Sequence, residues 1–373
     1  MKRILTIAAF AVSGWLGLLG AAEAKGPAIQ IALLLDTSNS MDGLIDQAKS
    51  QLWSVVNEFI HAKRDGRPAS IEVALYEYGN DNLPAEEGFV RMVVPLTDDL
   101  DTVSEKLFAL KTRGGSEFCG QVIRDATSQL TWSRASGVYK AIFIAGNEPF
   151  TQGSVDYHGA CRGAIKKGII VNTIFCGPNS EGEQTGWSAG AVLADGRYMS
   201  IDHNHKVVAI PCPQDDEIRR LGLDLNKTYV PYGRMGFEGQ ARQAAQDANA
   251  STVSPSVLAS RAVSKSSLNV YCNDTWDLID AIKTGKCKLD DLKDDDLPAD
   301  LRKLSKAERL ACLNDKSAQR ETVQKRILTL HRERETFLAA ERKKQAAGSE
   351  ETLDTVILKA VREQAARANI RFE

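Results

Sequence analysis

The chain has 373 residues, 43% hydrophobic and 26% charged, and its 47 Lys and Arg against 49 Asp and Glu leave a formal charge of −2. That is enough chain for about two domains with a sizeable core, and its Gly and Pro content excludes a collagen-like or broadly disordered polymer. The near balance of charge gives no bulk electrostatic case for nucleic acid or for an anionic membrane.

Lys2 and Arg3 precede an apolar run from Ile4 to Gly20. Ala22-Glu23-Ala24 follows with the small-x-small pattern of a signal-peptidase site. The run is short for a bilayer span of about 20 residues. Residues 1–24 are therefore read as a cleaved export signal, which places the mature protein in the periplasm or outside the cell, without membrane insertion.

Strand and helix signals then alternate. Ile29 to Leu35, Ile71 to Tyr76, Val138 to Ile144 and Ile169 to Phe175 are apolar runs of the kind found in buried parallel strands, and Phe89 to Val94 has the mixed pattern of an edge. Between them Leu44, Ala48, Leu52, Val55, Val56 and Phe59 share a helical face, as do Val103, Leu107 and Leu110, and Val122, Ile123, Ala126 and Leu130. A turn at Asp195-Gly196 leads into a last short strand. The fold class expected is α/β, a doubly wound, mostly parallel sheet flanked by helices. Ligands of such folds bind beyond the carboxyl ends of the strands.

After Pro213 the apolar residues thin out. Asp215 to Leu225 reads as a helix, and the Ala- and Gln-rich stretch from Gln240 to Ala250 as a solvent-facing one. Asp290 to Asp300 reads as an acidic turn or linker. The stripes Val323, Ile327, Leu330, Phe337 and Leu353, Ile357, Ala360, Val361, separated by Gly348-Ser349, predict a helical hairpin. The division expected is signal 1–24, sheet domain 27–212, a mainly helical extension and linker 213–300, and a C-terminal helical hairpin 301–373.

The seven cysteines form no C-x-x-C, which argues against a thioredoxin-like or zinc-ribbon site. In an exported chain pairing is the default, and the odd count leaves at least one thiol unpaired or intermolecular; Cys272 with Cys287 is the best local pair and Cys176 with Cys212 a second way to staple the sheet end, while the connectivity does not follow from the sequence. His61, His158 and His331 are isolated and read as surface residues, and His203-Asn204-His205 as a polar turn. No phosphate loop occurs, and the G-x-S-x-G string at Gly186-Trp187-Ser188-Ala189-Gly190 falls in a stretch that reads as a helix.

The first strand ends in Asp36-Thr37-Ser38-Asn39-Ser40, just before an amphipathic helix. One carboxylate and two hydroxyls on a tight strand-to-helix turn offer hard oxygen donors, suited to Mg²⁺, with Mn²⁺ or Ca²⁺ as alternatives. The D-x-S-x-S sequence in this position resembles the first element of the metal-ion-dependent adhesion site of the von Willebrand factor A domain family. The resemblance covers about Ile29 to Asp202. The family's Gly-Gly-Thr loop corresponds to Gly114-Gly115-Ser116, so the resemblance assigns the metal to Asp36, Ser38, Ser40 and Ser116. The family's Asp after the fourth strand falls at Gly146, so one carboxylate is missing, with Asn147, Glu148 and Glu117 as candidate replacements. What the resemblance implies is an exported, non-enzymatic binding protein, no enzyme and no nucleic-acid binder, that engages a partner protein's acidic side chain through a divalent cation. The alternative is a metal-free assembly module acting through its C-terminal helices; a metal-dependent hydrolase lacks a nucleophile and base.

Overall fold

A computed structural model describes residues 28–204, 210–345 and 352–372. The signal at 1–24, the Gly348-Ser349 hinge and His205 lie outside the described residues.

The first strand, β1 (Ile29–Asp36), is buried along nearly its whole length because both of its faces are covered. It leads into helix α1 (Asp42–Glu58), which buries Leu44, Ile45, Leu52, Trp53 and Val56. A small hairpin, β2 (Ala62–Arg64) and β3 (Arg67–Pro68), precedes β4 (Ile71–Tyr78) and β5 (Val90–Thr97). Helix α2 (Leu100–Ala109) is capped by the Asp99 carboxylate, which accepts from Thr102 N at 3.0 Å. Then come α3 (Cys119–Gln129), β6 (Tyr139–Gly146), α4 (Tyr157–Lys166), β7 (Ile170–Cys176), α5 (Asn179–Gln184), α6 (Trp187–Leu193) and β8 (Tyr198–Ile201).

Among the described residues six of these strands form one sheet in the order β5-β4-β1-β6-β7-β8, with β1, β4, β6, β7 and β8 parallel and β5 antiparallel at its edge. The expected doubly wound, mostly parallel sheet is what the chain adopts. Strand order reverses beside β1, so the loops after β1 and β6 open side by side at the carboxyl end.

The helical region comprises α7 (Asp215–Asn226), α8 (Gly236–Val253), α9 (Pro255–Ser264), α10 (Leu278–Thr284), α11 (Ala299–Arg302), α12 (Lys306–Gln345) and α13 (Leu353–Ala365), followed by β9 (Ile370–Phe372). None of the described helices is long and apolar enough to cross a membrane.

Three expectations for this part are corrected. The helix over Gln240 to Ala250 faces solvent on one side only, that of Ala241, Ala244, Ala245 and Ala248: Gln243, Gln246 and Ala250 are buried, with Gln243 Nε2 donating to Tyr271 Oη at 3.1 Å and Gln246 Oε1 accepting from Ser104 Oγ at 2.9 Å. Paired amides can be buried at little cost, so an apolar count misses them. The two C-terminal stripes do not make a separate hairpin unit. Helix α12 packs on α7 and α9, whereas α13 packs on α1 and joins the sheet domain's core through Leu353, Val356, Ile357, Ala360 and Val361. Gln47 and Gln51 of α1 cap its start, accepting from Leu353 N at 3.2 Å and Asp354 N at 2.8 Å, and β9 pairs with β2. The sheet domain therefore takes its last layer from the end of the chain. Finally, Cys119, Cys161, Cys176, Cys272, Cys287 and Cys312 are free thiols. Cys176 lies near Asp36 and Tyr78 while Cys212 lies against Ile210, and Cys287 faces Tyr232 rather than Cys272, so neither expected pair is in bonding position.

Candidate metal centre at the carboxyl end of the sheet

Asp36 is the last residue of β1 and is fully buried, at 0% exposure. One carboxylate oxygen, Oδ1, accepts from Ser38 N at 2.7 Å, which tightens the turn into α1. The other, Oδ2, is buried and has no hydrogen-bond partner. Burial raises the Asp36 carboxyl, Glu148 adds to the effect, and the bonds from Ser38 only partly offset it, leaving it at about 7. A buried carboxylate in this state lacks a counter-charge.

The hydroxyls stand next to it. Ser38 Oγ and Ser40 Oγ are 3.2 Å apart, and Ser40 Oγ donates to Asn147 Oδ1 at 3.4 Å. Asn147 follows β6, so the first and fourth loops of the sheet meet here. The loop before α3 closes the third side. Arg113 N donates to Thr37 O at 2.9 Å, Asn80 Nδ2 to Lys111 O at 2.9 Å, and Thr112 bonds Asp42 at the start of α1. These bonds lay Gly114 against the β1 turn, where a Cβ on it would meet Asn39 Nδ2 at 3.3 Å, and the half-buried Ser116 follows two residues on. Glu117 comes with them, 4% exposed, with Oε2 unpartnered. A Cβ placed on Gly79 would meet Glu117 Cγ at 2.6 Å and Asp36 Oδ1 at 2.9 Å, so both acidic side chains flank the same backbone point. Gln152 ties the loops together, donating to Glu148 at 3.1 Å and accepting from Glu117 N at 3.3 Å.

Gly146 explains the missing carboxylate. A Cβ there would overlap the Tyr78 hydroxyl and sit 3.0 Å from Asp36 Oδ2. Tyr78 Oη donates to Ala145 O at 2.9 Å and fills the space a side chain would need. Tyr78, Cys119 and Cys176 thus form a buried wall near Asp36, with both thiols pushed upward by burial and by the neighbouring Asp36 charge. Sequence reading did not connect these three to the site; the only signal was the Gly at 146, which needs a large neighbour to fill its place.

The donor set fits a hard divalent cation: an orphaned carboxylate oxygen, hydroxyls beside it, and a second orphaned carboxylate at Glu117. Among the described residues no three His, Cys, Asp or Glu side chains form a metal cluster, so a cation here would depend on the serine hydroxyls. Trp187 supports the site from below. It is fully buried and donates from Nε1 to Glu148 O at 2.8 Å.

The family profile of the von Willebrand factor type A domain matches residues 30–186. Among solved structures, BatB from Bacteroides thetaiotaomicron aligns at 18% identity over 47% of this chain and 90% of that one, with a TM-score of 0.36. Proximal thread matrix protein 1 from the mussel byssus, in a form described as having a zinc-occupied MIDAS motif, aligns at 14% identity over 47% of this chain and 41% of its own, TM-score 0.36. The pilus adhesin SpaC from Lactobacillus rhamnosus GG aligns at 14% over 48% of this chain and 29% of its own, TM-score 0.36. No curated protein matches in sequence. Residues 30–186 of this chain belong to a von Willebrand factor type A domain.

Proposed function

We propose that this is an exported, non-catalytic binding protein whose von Willebrand factor type A domain engages an acidic side chain of a partner protein through a divalent cation. Asp36, Ser38 and Ser40 would hold the ion, with Ser116 on the facing loop and Glu117 or Asn147 in place of the carboxylate missing at Gly146. Mg²⁺ suits this all-oxygen donor set, and Mn²⁺ or Ca²⁺ would bind in the same way. When bound, such an ion supplies an electrophilic point for an incoming carboxylate.

The observation that carries the reading is the buried, partnerless Oδ2 of Asp36 beside two serine hydroxyls. Leaving an anion buried without a counter-charge is costly. A cation at this point offsets that cost, and the small number of protein carboxylates leaves it a net positive charge to share with a partner. Ion and acidic partner should therefore bind cooperatively. The export signal read at 1–24 would place this encounter in the periplasm or outside the cell, and the helical region would present the domain.

Calorimetric titration of Mg²⁺ and Mn²⁺ into the protein and into Asp36→Ala tests the metal. The expected result is saturable binding, with a raised melting temperature, that Asp36→Ala abolishes. Identical heats for the two proteins would reject the site. Partner capture in chelator separates the remaining alternative: binding retained without metal would transfer recognition to the C-terminal helices.

A further inference from the structure

Beside the metal loop, the carboxyl ends of β6, β7 and β8 border a cleft of ≈ 630 Å³. Phe175 and Ile201 are buried in its wall, while Pro178, Glu181 and Asp202 are exposed along it. Asn147 belongs to both places, since it lines the cleft and its Oδ1 accepts from Ser40 Oγ at 3.4 Å. A peptide segment lying on the metal loop can therefore extend into the cleft.

The walls are held in place by bonds of the fold itself. Helix α5 is fixed against β8 by Tyr198 Oη, which donates to Asn179 O at 2.5 Å, and by Ser200 Oγ, which donates to Asn179 Oδ1 at 3.3 Å. Gly182 permits this approach, because a Cβ there would overlap the Tyr198 hydroxyl and meet Phe175 Cγ at 2.6 Å. On the other side Gln47 of α1 donates from Nε2 to Asp202 O at 2.9 Å, and His203 rests on Gly43, where a Cβ would overlap the His203 carbonyl. Asp202 Oδ1 accepts from Asn204 N at 2.9 Å, which orients its carboxylate. A ligand entering such a cleft has little of it left to order.

The residues lining the cleft include no Lys or Arg, and neither Glu181 nor Asp202 has an ion-pair partner among the described residues. Two unneutralised carboxylates beside an apolar wall suit a guanidinium or ammonium group whose methylene stem covers that wall. They also repel a second acid. We propose that the partner segment carries a basic residue near its acidic one, and that this Arg or Lys side chain occupies the cleft beside Glu181 and Asp202. The acidic contact rests on the metal reading above; the basic contact does not pass through the ion.

Fluorescence anisotropy with labelled peptides in saturating Mg²⁺ tests it. One peptide set carries a single Asp with an Arg one to four positions away on either side, and matched sets carry Gln or Glu in place of the Arg. The best Asp–Arg peptide should bind about 10-fold more tightly than its Gln match, and the Glu match should bind more weakly still. Glu181→Gln combined with Asp202→Asn should shrink the Arg advantage to about 2-fold or less, while the affinity for the Gln match, the Mg²⁺ titration and the circular dichroism spectrum stay unchanged. Should the double variant fail to fold, Glu181→Gln alone decides, with an expected loss of about 3-fold. In chelator, the same Arg peptide with Asn in place of its Asp should still shift NMR signals of the unaltered protein more than those of the variant. That arm reads the cleft without the ion, so a failed metal site and a failed cleft give different results. Equal binding of the Arg and Gln peptides together with equal NMR shifts, an Arg advantage that survives in the folded variant, or binding of free arginine amide as tight as that of the Asp–Arg peptide would overturn it.

Discussion

In the sheet domain the buried side chains are the ones a hydropathy reading finds: Ile31, Leu34, Leu75, Phe143, Ile144 and Val171 fill the layers on either side of the strands. In the helical region some of the most deeply buried groups are charged. Arg261, 0% exposed, donates to Asp101 at 2.7 Å and Asp247 at 2.5 Å and lies over the Trp53 ring, while Lys265 reaches Asp247 at 2.7 Å. Arg320 bonds Asp277 at 2.6 Å and Asp280 at 2.8 Å and stacks over Tyr229, and Arg334 reaches Asp215 at 2.8 Å. The Arg261 contacts with Asp101 and Trp53 cross from the helical region into the sheet domain. A nonpolar layer tolerates small shifts in packing, whereas a buried ion pair holds only in the geometry that satisfies its hydrogen bonds. The helices are therefore registered against the sheet by charge and the sheet is filled by volume.

Breaking one member of each kind is the most severe way to separate them. Arg320→Ala leaves Asp277 and Asp280 buried without their cation and should cost about 3–5 kcal/mol in denaturant unfolding at neutral pH. Phe143→Ala in the sheet should cost a similar amount, about 3–5 kcal/mol, through a cavity. Acid distinguishes the two. Protonation of the stranded carboxylates should restore part of the Arg320→Ala loss as pH falls toward 4, while the Phe143→Ala loss should stay flat.

A smaller effect follows at the seam where α12 meets the sheet domain. His331, expected at the surface, is buried there and stacks on His61 with centroids 6.2 Å apart. Burial, with Arg334, His61 and Arg332 nearby, lowers its pKa from 6.5 to about 4. The unfolded chain takes up a proton near 6.5 that the folded chain refuses until about 4. Its share of stability is thus present above 6.5 and lost as pH falls through that window, by about 3 kcal/mol in all. Stability curves of the protein and of His331→Gln should converge toward acid by roughly that amount; parallel curves would exclude the seam as the source. Least of all, Ser254→Ala removes the cap that accepts from Val257 N at 3.1 Å at the α8–α9 corner and should cost about 1 kcal/mol by thermal melting.

The legible parts of this protein are those governed by local pattern. Apolar runs at Ile29 to Leu35 and Val138 to Ile144 located the central strands, and the mixed Phe89 to Val94 segment was correctly read as an edge. That Asp36, Ser38 and Ser40 share one turn was legible because their spacing and their position after an apolar strand are both sequence properties. The polar interior was not legible. Gln243, Gln246, Arg261 and His331 look like surface residues until their partners, distant in sequence, are known. The cysteine pairing failed for the same reason, since sequence proximity does not set the distance between thiols.

The order of residues alone determined a doubly wound sheet with an oxygen-rich turn at the end of its first strand, because period, run length and the strand-to-helix junction are encoded within a few neighbouring positions. Tertiary structure alone decided that Tyr78 occupies the place a carboxylate would need at Gly146 and that α13 returns from the end of the chain to cover α1. Each of these depends on contacts between segments far apart in the chain, where burial and charge are properties of the assembled surroundings and not of the residue type.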